Sequence, residues 1–341
     1  MKRPLMQHLK SKLIIIIGIL TLWIFSMGGS HVAYGQDKLN FKSLVDHIGL
    51  LNPSYTGKDT TVWIDAINTN QWSGFEGAPI TTTAYLHGHI QSVAAIDRGE
   101  DVKKALGFGF TVQSDKIGLR KNSTASFQLQ AGIQLGSYSY LYLGLDGGSN
   151  LVRYDITNMD AGYGTIPVGD DRNDYFVGGG LTLEANYLLL GASCRRIIST
   201  NTETNNMVFY GHGEYMWMLP SFTLRPVGVV MYDQNKQLTW DAGLYAGFVR
   251  DKLWAGAIYH SNKCLSGVIK VHALKFFKIS YIYTLNTGEL QNFAKNTHEF
   301  GVSIDIRNLW MKIFGIKHAV NIDDYLGDGD NGTQKNSLFN K

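Results

Sequence analysis

Between residues 125 and 136 the chain alternates without a break. Ala125, Phe127, Leu129, Ala131, Ile133 and Leu135 form one set, and Ser126, Gln128, Gln130, Gly132, Gln134 and Gly136 interleave with them. Successive side chains of a β-strand point to opposite faces, so this is a strand with one apolar face and one polar or small one. It runs about 12 residues, twice the soluble mean of about 5–6. In water the apolar row would need a second sheet to cover it. In a bilayer, lipid covers it, and the sheet must close because unpaired edges are not tolerated there.

The pattern recurs. Leu106, Phe108, Phe110 and Val112 alternate with Gly107, Gly109, Thr111 and Gln113; Leu238 through Phe248 and Phe300 through Arg307 behave likewise. The spacing predicts an all-β chain, a transmembrane antiparallel β-barrel of about 14 strands. The predicted spans are 59–72, 80–92, 103–114, 123–136, 138–150, 174–185, 187–198, 206–217, 221–233, 237–249, 252–262, 265–273, 276–287 and 297–307. Barrels of this class have short periplasmic turns and longer external loops. An even strand count puts both barrel ends in the periplasm. The periplasmic turns then fall near 136–138, 185–187, 219–220, 250–252 and 274–275, and the longer loops at 151–173, 199–205 and 288–296 are external. The 93–102 connection, with Arg98 and Glu100, is long for its periplasmic end. Pro226 inside a predicted strand marks a bulge or a weak span.

Composition agrees. The 341 residues hold 38 glycines and 18 tyrosines, with 17% charged side chains. Average usage would give roughly 24 glycines. Tight turns and an aromatic surface suit that excess; a helical enzyme would carry more Ala, Glu and Lys. The net charge of +3 gives no footprint for nucleic acid. Cys194 and Cys264 lie far apart and form no metal-ligand spacing. Residues 1–35 read as a signal peptide: Lys2, Arg3, Lys10 and Lys12 precede the apolar run Leu13–Met27, and Ala33-Tyr34-Gly35 supplies the cleavage site before Gln36; an uncleaved anchor helix is the alternative, for which the run is short of the roughly 20 residues that span a bilayer. The expected layout is therefore a 1–35 leader, a 36–58 periplasmic segment, a 59–307 barrel and a 308–341 periplasmic tail. Phe41, Leu44, Val45, Ile48, Leu50 and Leu51 give the 36–58 segment an amphipathic face, which either docks a partner or plugs the barrel mouth. Trp310, Met311, Ile313, Phe314 and Ile316 suggest a short amphipathic element, and the Asp-, Asn- and Gly-rich remainder reads as disordered.

Candidate chemistry is sparse, and the expectation is no catalytic residue, no cofactor and no metal ligand. His298 and Glu299 are adjacent, so on a strand they face opposite ways and cannot act on one substrate. Asp323, Asp324, Asp328 and Asp330 lack the glutamate that ends an EF-hand loop. His87 and His89 share a face, expected to be a polar lumen lining. Asp146, Glu184, Glu214, Asp241 and Asp305 are expected to meet Arg195, Arg225 or Arg307 in a lumenal ion network. Ser266 and His272 are near only in sequence, and no Gly-x-Ser-x-Gly elbow occurs.

Three local patterns remain. Asn52-Pro53-Ser54-Tyr55-Thr56-Gly57 is a turn, with Gly57 free to adopt a positive φ. Gln71-Trp72-Ser73-Gly74-Phe75-Glu76-Gly77-Ala78-Pro79 is a glycine-punctuated hairpin loop whose Trp72 suits an aromatic girdle. His298-Glu299-Phe300 opens the last strand. In this order, together with Trp254-Ala255-Gly256-Ala257 after a short turn, they resemble the PorP/SprF family of type IX secretion system membrane proteins over about residues 44–307. Ser54 and Thr56 stand where many members carry alanine. The resemblance makes Asn52, Pro53, Tyr55, Gly57, Gln71, Trp72, Gly77, Ala78, Pro79, Trp254, Gly256, His298 and Glu299 the structural or partner-contacting candidates. It implies a non-enzymatic outer-membrane component that anchors the periplasmic ring proteins PorK/GldK and PorN/GldN, or supports export and attachment of gliding adhesins. A PorE-like peptidoglycan-binding protein or a secreted surface adhesin would be a further partner. Two other readings fit an outer-membrane barrel: a general diffusion channel, and an enzyme acting on lipid.

Overall fold

The computed structural model describes residues 44–58, 61–90, 104–136, 138–154, 171–200, 207–233, 237–274, 276–287 and 296–313. The expected leader, residues 36–43, the 93–102 connection and the tail beyond 313 lie outside the described residues.

The strands are β1 (Val62–Asn70), β2 (Ile80–Ile90), β3 (Lys104–Ile117), β4 (Arg120–Gly136), β5 (Ser139–Tyr154), β6 (Arg172–Ala185), β7 (Leu188–Ser199), β8 (Val208–Tyr215), β9 (Trp217–Met218), β10 (Thr223–Asp233), β11 (Leu238–Phe248), β12 (Leu253–His260), β13 (Cys264–Leu274), β14 (Phe277–Asn286) and β15 (Thr297–Asp305). The two-residue β9 continues β8 past Met216, and both pair with β10, so the wall has 14 staves. All pairings are antiparallel. The ring closes where β1 meets β15, with Trp63 opposite Asp305 and Asn70 opposite His298.

The break between β8 and β9 accommodates Pro226. β10 pairs with β9 through Thr223 and Leu224 and with β8 from Val227 onward. Proline has no N–H for a ladder, and it falls in the gap where that edge needs none. On its other edge Pro226 still sits opposite Leu244.

The two faces answer the question the alternation left open. On β4, Phe127, Leu129, Ile133 and Leu135 are exposed, whereas Ser126, Gln128 and Gln130 are buried. Leu106, Phe110 and Val112 on β3 and Leu143 and Leu145 on β5 are exposed too. The apolar rows face outward and the polar rows inward, the inverse of a sandwich in water and the arrangement a bilayer requires. Tight turns are built with left-handed residues, including Asn186, the run Val249–Asp251 and Lys263.

The lumen has two different walls. On β2 to β8 it is mostly polar, with Thr81, Thr83, Gln113, Gln128 and Gln130 pointing in. On β10 to β15 and β1 it is largely apolar, with Val227, Val229, Tyr245, Ile258, Val268, Ile282 and Ile67 buried in one cluster. The segment before β1 lies against both. It consists of a 3-10 turn (Leu44–Asp46), α1 (Ile48–Leu51) and a second 3-10 turn (Pro53–Tyr55). Leu44, Val45, Leu50 and Leu51 join the apolar cluster. After β15 the chain turns directly into α2 (Ile306–Ile313).

Leu129→Arg places a cation on the lipid side of a mid-strand position. It should cost about 2–4 kcal/mol of folding free energy if Leu129 lies near the bilayer midplane. Denaturant unfolding in liposomes, followed by the gel shift of the folded barrel, measures this; an unchanged midpoint would mean the row does not face lipid.

Candidate functional site: the lumenal plug

Residues 46–58 cross the lumen and make polar contacts with β2, β4, β6, β7, β8, β10, β13 and β15. Asn52 is fully buried. Its Nδ2 lies 3.1 Å from Thr182 Oγ1, 3.0 Å from His212 Nε2 and 3.2 Å from the Leu181 carbonyl. Its Oδ1 accepts from the Ser54 amide at 3.0 Å and from Ser54 Oγ at 2.7 Å. Ser54 Oγ is also 2.7 Å from Thr182 Oγ1. Asn52, Thr182 and Ser54 thus form a closed ring of donors and acceptors, each bond polarising the next. The side chain of Asn52 caps the turn that Pro53 begins.

The next residues continue the pattern. Thr56 Oγ1 donates to Gln128 and lies 2.6 Å from Tyr85 Oη. The Gly57 amide donates to Gln130 Oε1 at 2.6 Å. The sequence leaves Gly57 free to take a positive φ, but the left-handed glycines among the described residues are Gly74, Gly77 and Gly118. Gly57 is required for another reason. A Cβ there would strike Gly107 of β3 and the amide oxygen of Gln130. The same holds at Gly144, where a Cβ would meet the backbone of Pro53 and Ser54. Backbone touches backbone at both places.

Several wall side chains read the plug's main chain. Tyr85 Oη and Gln128 Nε2 donate to the Gly49 carbonyl at 3.4 and 3.1 Å. Arg195 Nη1 donates to Leu50 O at 3.0 Å, and Ser193 Oγ to Leu51 O at 2.8 Å. Charges complete the attachment. Lys58 Nζ is 2.9 Å from Glu214, which Arg225 approaches at 3.6 Å. Arg225 also lies 3.8 Å from Asp46, to which Lys270 Nζ donates. His47 Nε2 is 3.1 Å from Glu299 Oε1. Burial alone would raise the Asp46 carboxyl and lower His47. Lys270 and Arg225 outweigh it for Asp46, which is held below the carboxylate range, and Glu299 outweighs it for His47, which is held above the histidine range.

The motif residues of the sequence gather around this segment. Tyr55 sets its ring edge-on to His212 at 5.9 Å and takes a hydrogen bond from Lys58 at 3.2 Å. Glu299 also accepts from Thr69 Oγ1 at 2.9 Å. Trp254 faces the lumen under the Arg225 guanidinium, 5.4 Å from its ring, and Gly256 leaves room for the Tyr245 ring. His298 points outward to Tyr281 Oη at 2.8 Å, so the adjacent His298 and Glu299 do part to opposite faces. The Gln71–Pro79 loop joins β1 to β2. The Gln71 amide donates to Pro79 O at 2.9 Å, and the Ser73 amide to Asn296 O at 3.0 Å, which ties the loop to the start of β15. Trp72 is half-buried with φ 50°.

The expected ion network is present in part. Arg195 meets Asp146 at 3.2 Å and Arg225 meets Glu214. Glu184 instead accepts from Tyr142 at 2.9 Å, and Asp305 caps α2 by accepting from the Asn308 amide at 3.0 Å. The side chain of Arg307 lies outside the described residues. His87 faces the lumen and bonds Asp65 at 2.9 Å. Asp241 pairs with His260 at 2.9 Å, and His260 Nε2 is 2.7 Å from Ser266 Oγ. This is the connectivity of a hydrolase triad, yet Ser266 is 0% exposed and its hydroxyl is also engaged at 2.6 Å by Thr284. A covered hydroxyl on the lumen side has no access to lipid, so the chain of bonds braces β11 to β14. His272 is not part of it. The sequence offered no signal for Thr182, His212, Gln128 or Lys270, whose roles depend on partners more than 70 residues away.

Asn52→Ala should leave the buried Ser54 amide without its acceptor and His212 Nε2 without its Asn52 partner, at about 1–3 kcal/mol for each buried group left unpaired. Thermal gel-shift assays would read the loss; an unchanged midpoint would show that the ring of bonds is dispensable. The His47 contribution has a defined pH sign. A raised folded-state value makes it full below about pH 6.5 and lost as pH rises through that raised value. Trypsin cleavage at Lys58 should therefore increase on the alkaline side, and His47→Gln should remove that dependence.

No curated protein matches the chain. Among solved structures, the toluene transporter TbuX of Ralstonia pickettii shares 10% identity over 82% of this chain and 96% of its own, with a TM-score of 0.48. Omp33 of Acinetobacter baumannii shares 10% over 73% and 100%, with a TM-score of 0.45. A family profile described as type IX secretion system membrane protein PorP/SprF matches residues 33–304. The chain belongs to the PorP/SprF family of type IX secretion system membrane proteins.

Proposed function

We propose that this barrel is a non-enzymatic outer-membrane component of the type IX machinery that anchors the periplasmic ring proteins PorK/GldK and PorN/GldN. The observation carrying this reading is the plug. A diffusion channel needs a water-filled lumen. Here one half of the lumenal wall is apolar and is covered by Leu44, Val45, Leu50 and Leu51. Vacating it would expose Val229, Ile258, Val268 and Ile282, each worth about 1.5–3 kcal/mol of burial. A barrel filled this way offers its ends and its rim as working surfaces.

The topology read from the sequence assigns residues 36–43, the 93–102 connection and the tail beyond residue 313 to the periplasmic side, and the proposed contacts lie there. A PorE-like protein or a surface adhesin would use the same periplasmic or external loops.

Affinity capture from detergent-solubilised envelopes tests the assignment. The full chain should recover the ring proteins, and chains lacking 314–341 or carrying a Gly-Ser replacement of 93–102 should recover less. Equal recovery by both variants, or none by the full chain, would remove the anchoring role. In planar bilayers the intact protein should be silent. Large steady conductance steps would favour the channel.

A further inference from the structure

α2 begins one residue after the last strand and is eight residues long. Along β15 the even-numbered residues look outward, with Phe300 exposed and Val302 and Ile304 half-exposed, while Glu299 and Asp305 are buried toward the lumen. Ile306 keeps the outward parity as the helix starts. At 100° per residue, positions 306, 309, 310 and 313 then share one arc, and these are Ile, Leu, Trp and Ile. The opposite arc carries Asn308, which is buried and bonded through Nδ2 to Asp305 at 2.7 Å, and so is pinned to the lumenal side. The helix packs on β1 and β15. Ile313 at its end is 65% exposed. Within Ile306–Ile313 the sequence carries Arg307 and Lys312 and no acidic residue.

We infer that α2 is an interfacial helix lying on the periplasmic leaflet, its Ile306–Leu309–Ile313 face in the acyl boundary and its basic residues among anionic phosphates. Two observations select lipid as the occupant. The apolar arc is continuous with the outward rows Ile64, Ile279 and Phe300, which already face the bilayer. The charge of the segment complements an anionic headgroup layer.

The test uses the full chain in a Cys194→Ala, Cys264→Ala background with Ile313→Cys carrying an environment-sensitive fluorophore, in nanodiscs of phosphatidylethanolamine and phosphatidylglycerol. Blue-shifted emission, quenched by doxyl-labelled lipid and resistant to aqueous iodide, is the expected result. Arg307→Glu with Lys312→Glu should shift the emission back to the red as phosphatidylglycerol is added. Iodide quenching would overturn the inference, because the residue would be in water. Resistance to both quenchers would overturn it too, because the residue would be packed in protein. The gel shift confirms that each variant is folded.

Discussion

Closure of the hydrogen-bond ladder between β1 and β15 is the interaction on which everything else depends. In hydrocarbon an unpaired strand edge has nowhere to send its N–H and C=O groups, so the sheet has to meet itself. Eight residue pairs, from Trp63–Asp305 to Asn70–His298, make that seam. The seam also brings together parts of the sequence that are far apart. Thr69 and Glu299 bond across it, and Glu299 then reaches His47. The Gln71–Pro79 loop is tied to Asn296 directly above it.

A closed wall of this size encloses more space than its own inward side chains fill. The plug resolves that by being amphipathic across its length. Its first residues are apolar and meet the apolar wall, and its Asn-Pro turn is polar and meets the polar wall. In this chain the Asn52–Gly57 turn is therefore an internal fastening. Ser54 and Thr56 each add a hydroxyl to it. Thr182, Tyr85 and Gln128 each engage one of their hydroxyls.

The strands were legible because lipid imposes a rule that repeats every second residue. Each of the fourteen expected spans finds its stave, with ends moved by a few residues, as from 59–72 to Val62–Asn70. Where both faces are apolar, as along Val227–Met231, the alternation fades because the inward side meets the plug instead of water. The plug itself was visible only as an amphipathic stretch before the first strand. Nothing local distinguishes a side chain that will meet Thr182 or Lys270 from one that will meet a separate partner. The Asn-Pro turn was recognisable by its chemistry, whereas the need for glycine at position 57 came from Gly107, about fifty positions along the chain.

The plug ends at Lys58 and β1 begins at Val62, so the leash between cork and wall is only four peptide units long. A fully stretched chain covers about 3.3–3.6 Å per residue, which limits the leash to about 14 Å. Were the fastenings broken, the carboxyl-terminal end of the cork would still hover at the mouth at a very high local concentration. Reseating would be a short intramolecular search, and any opening of this barrel would be brief by construction.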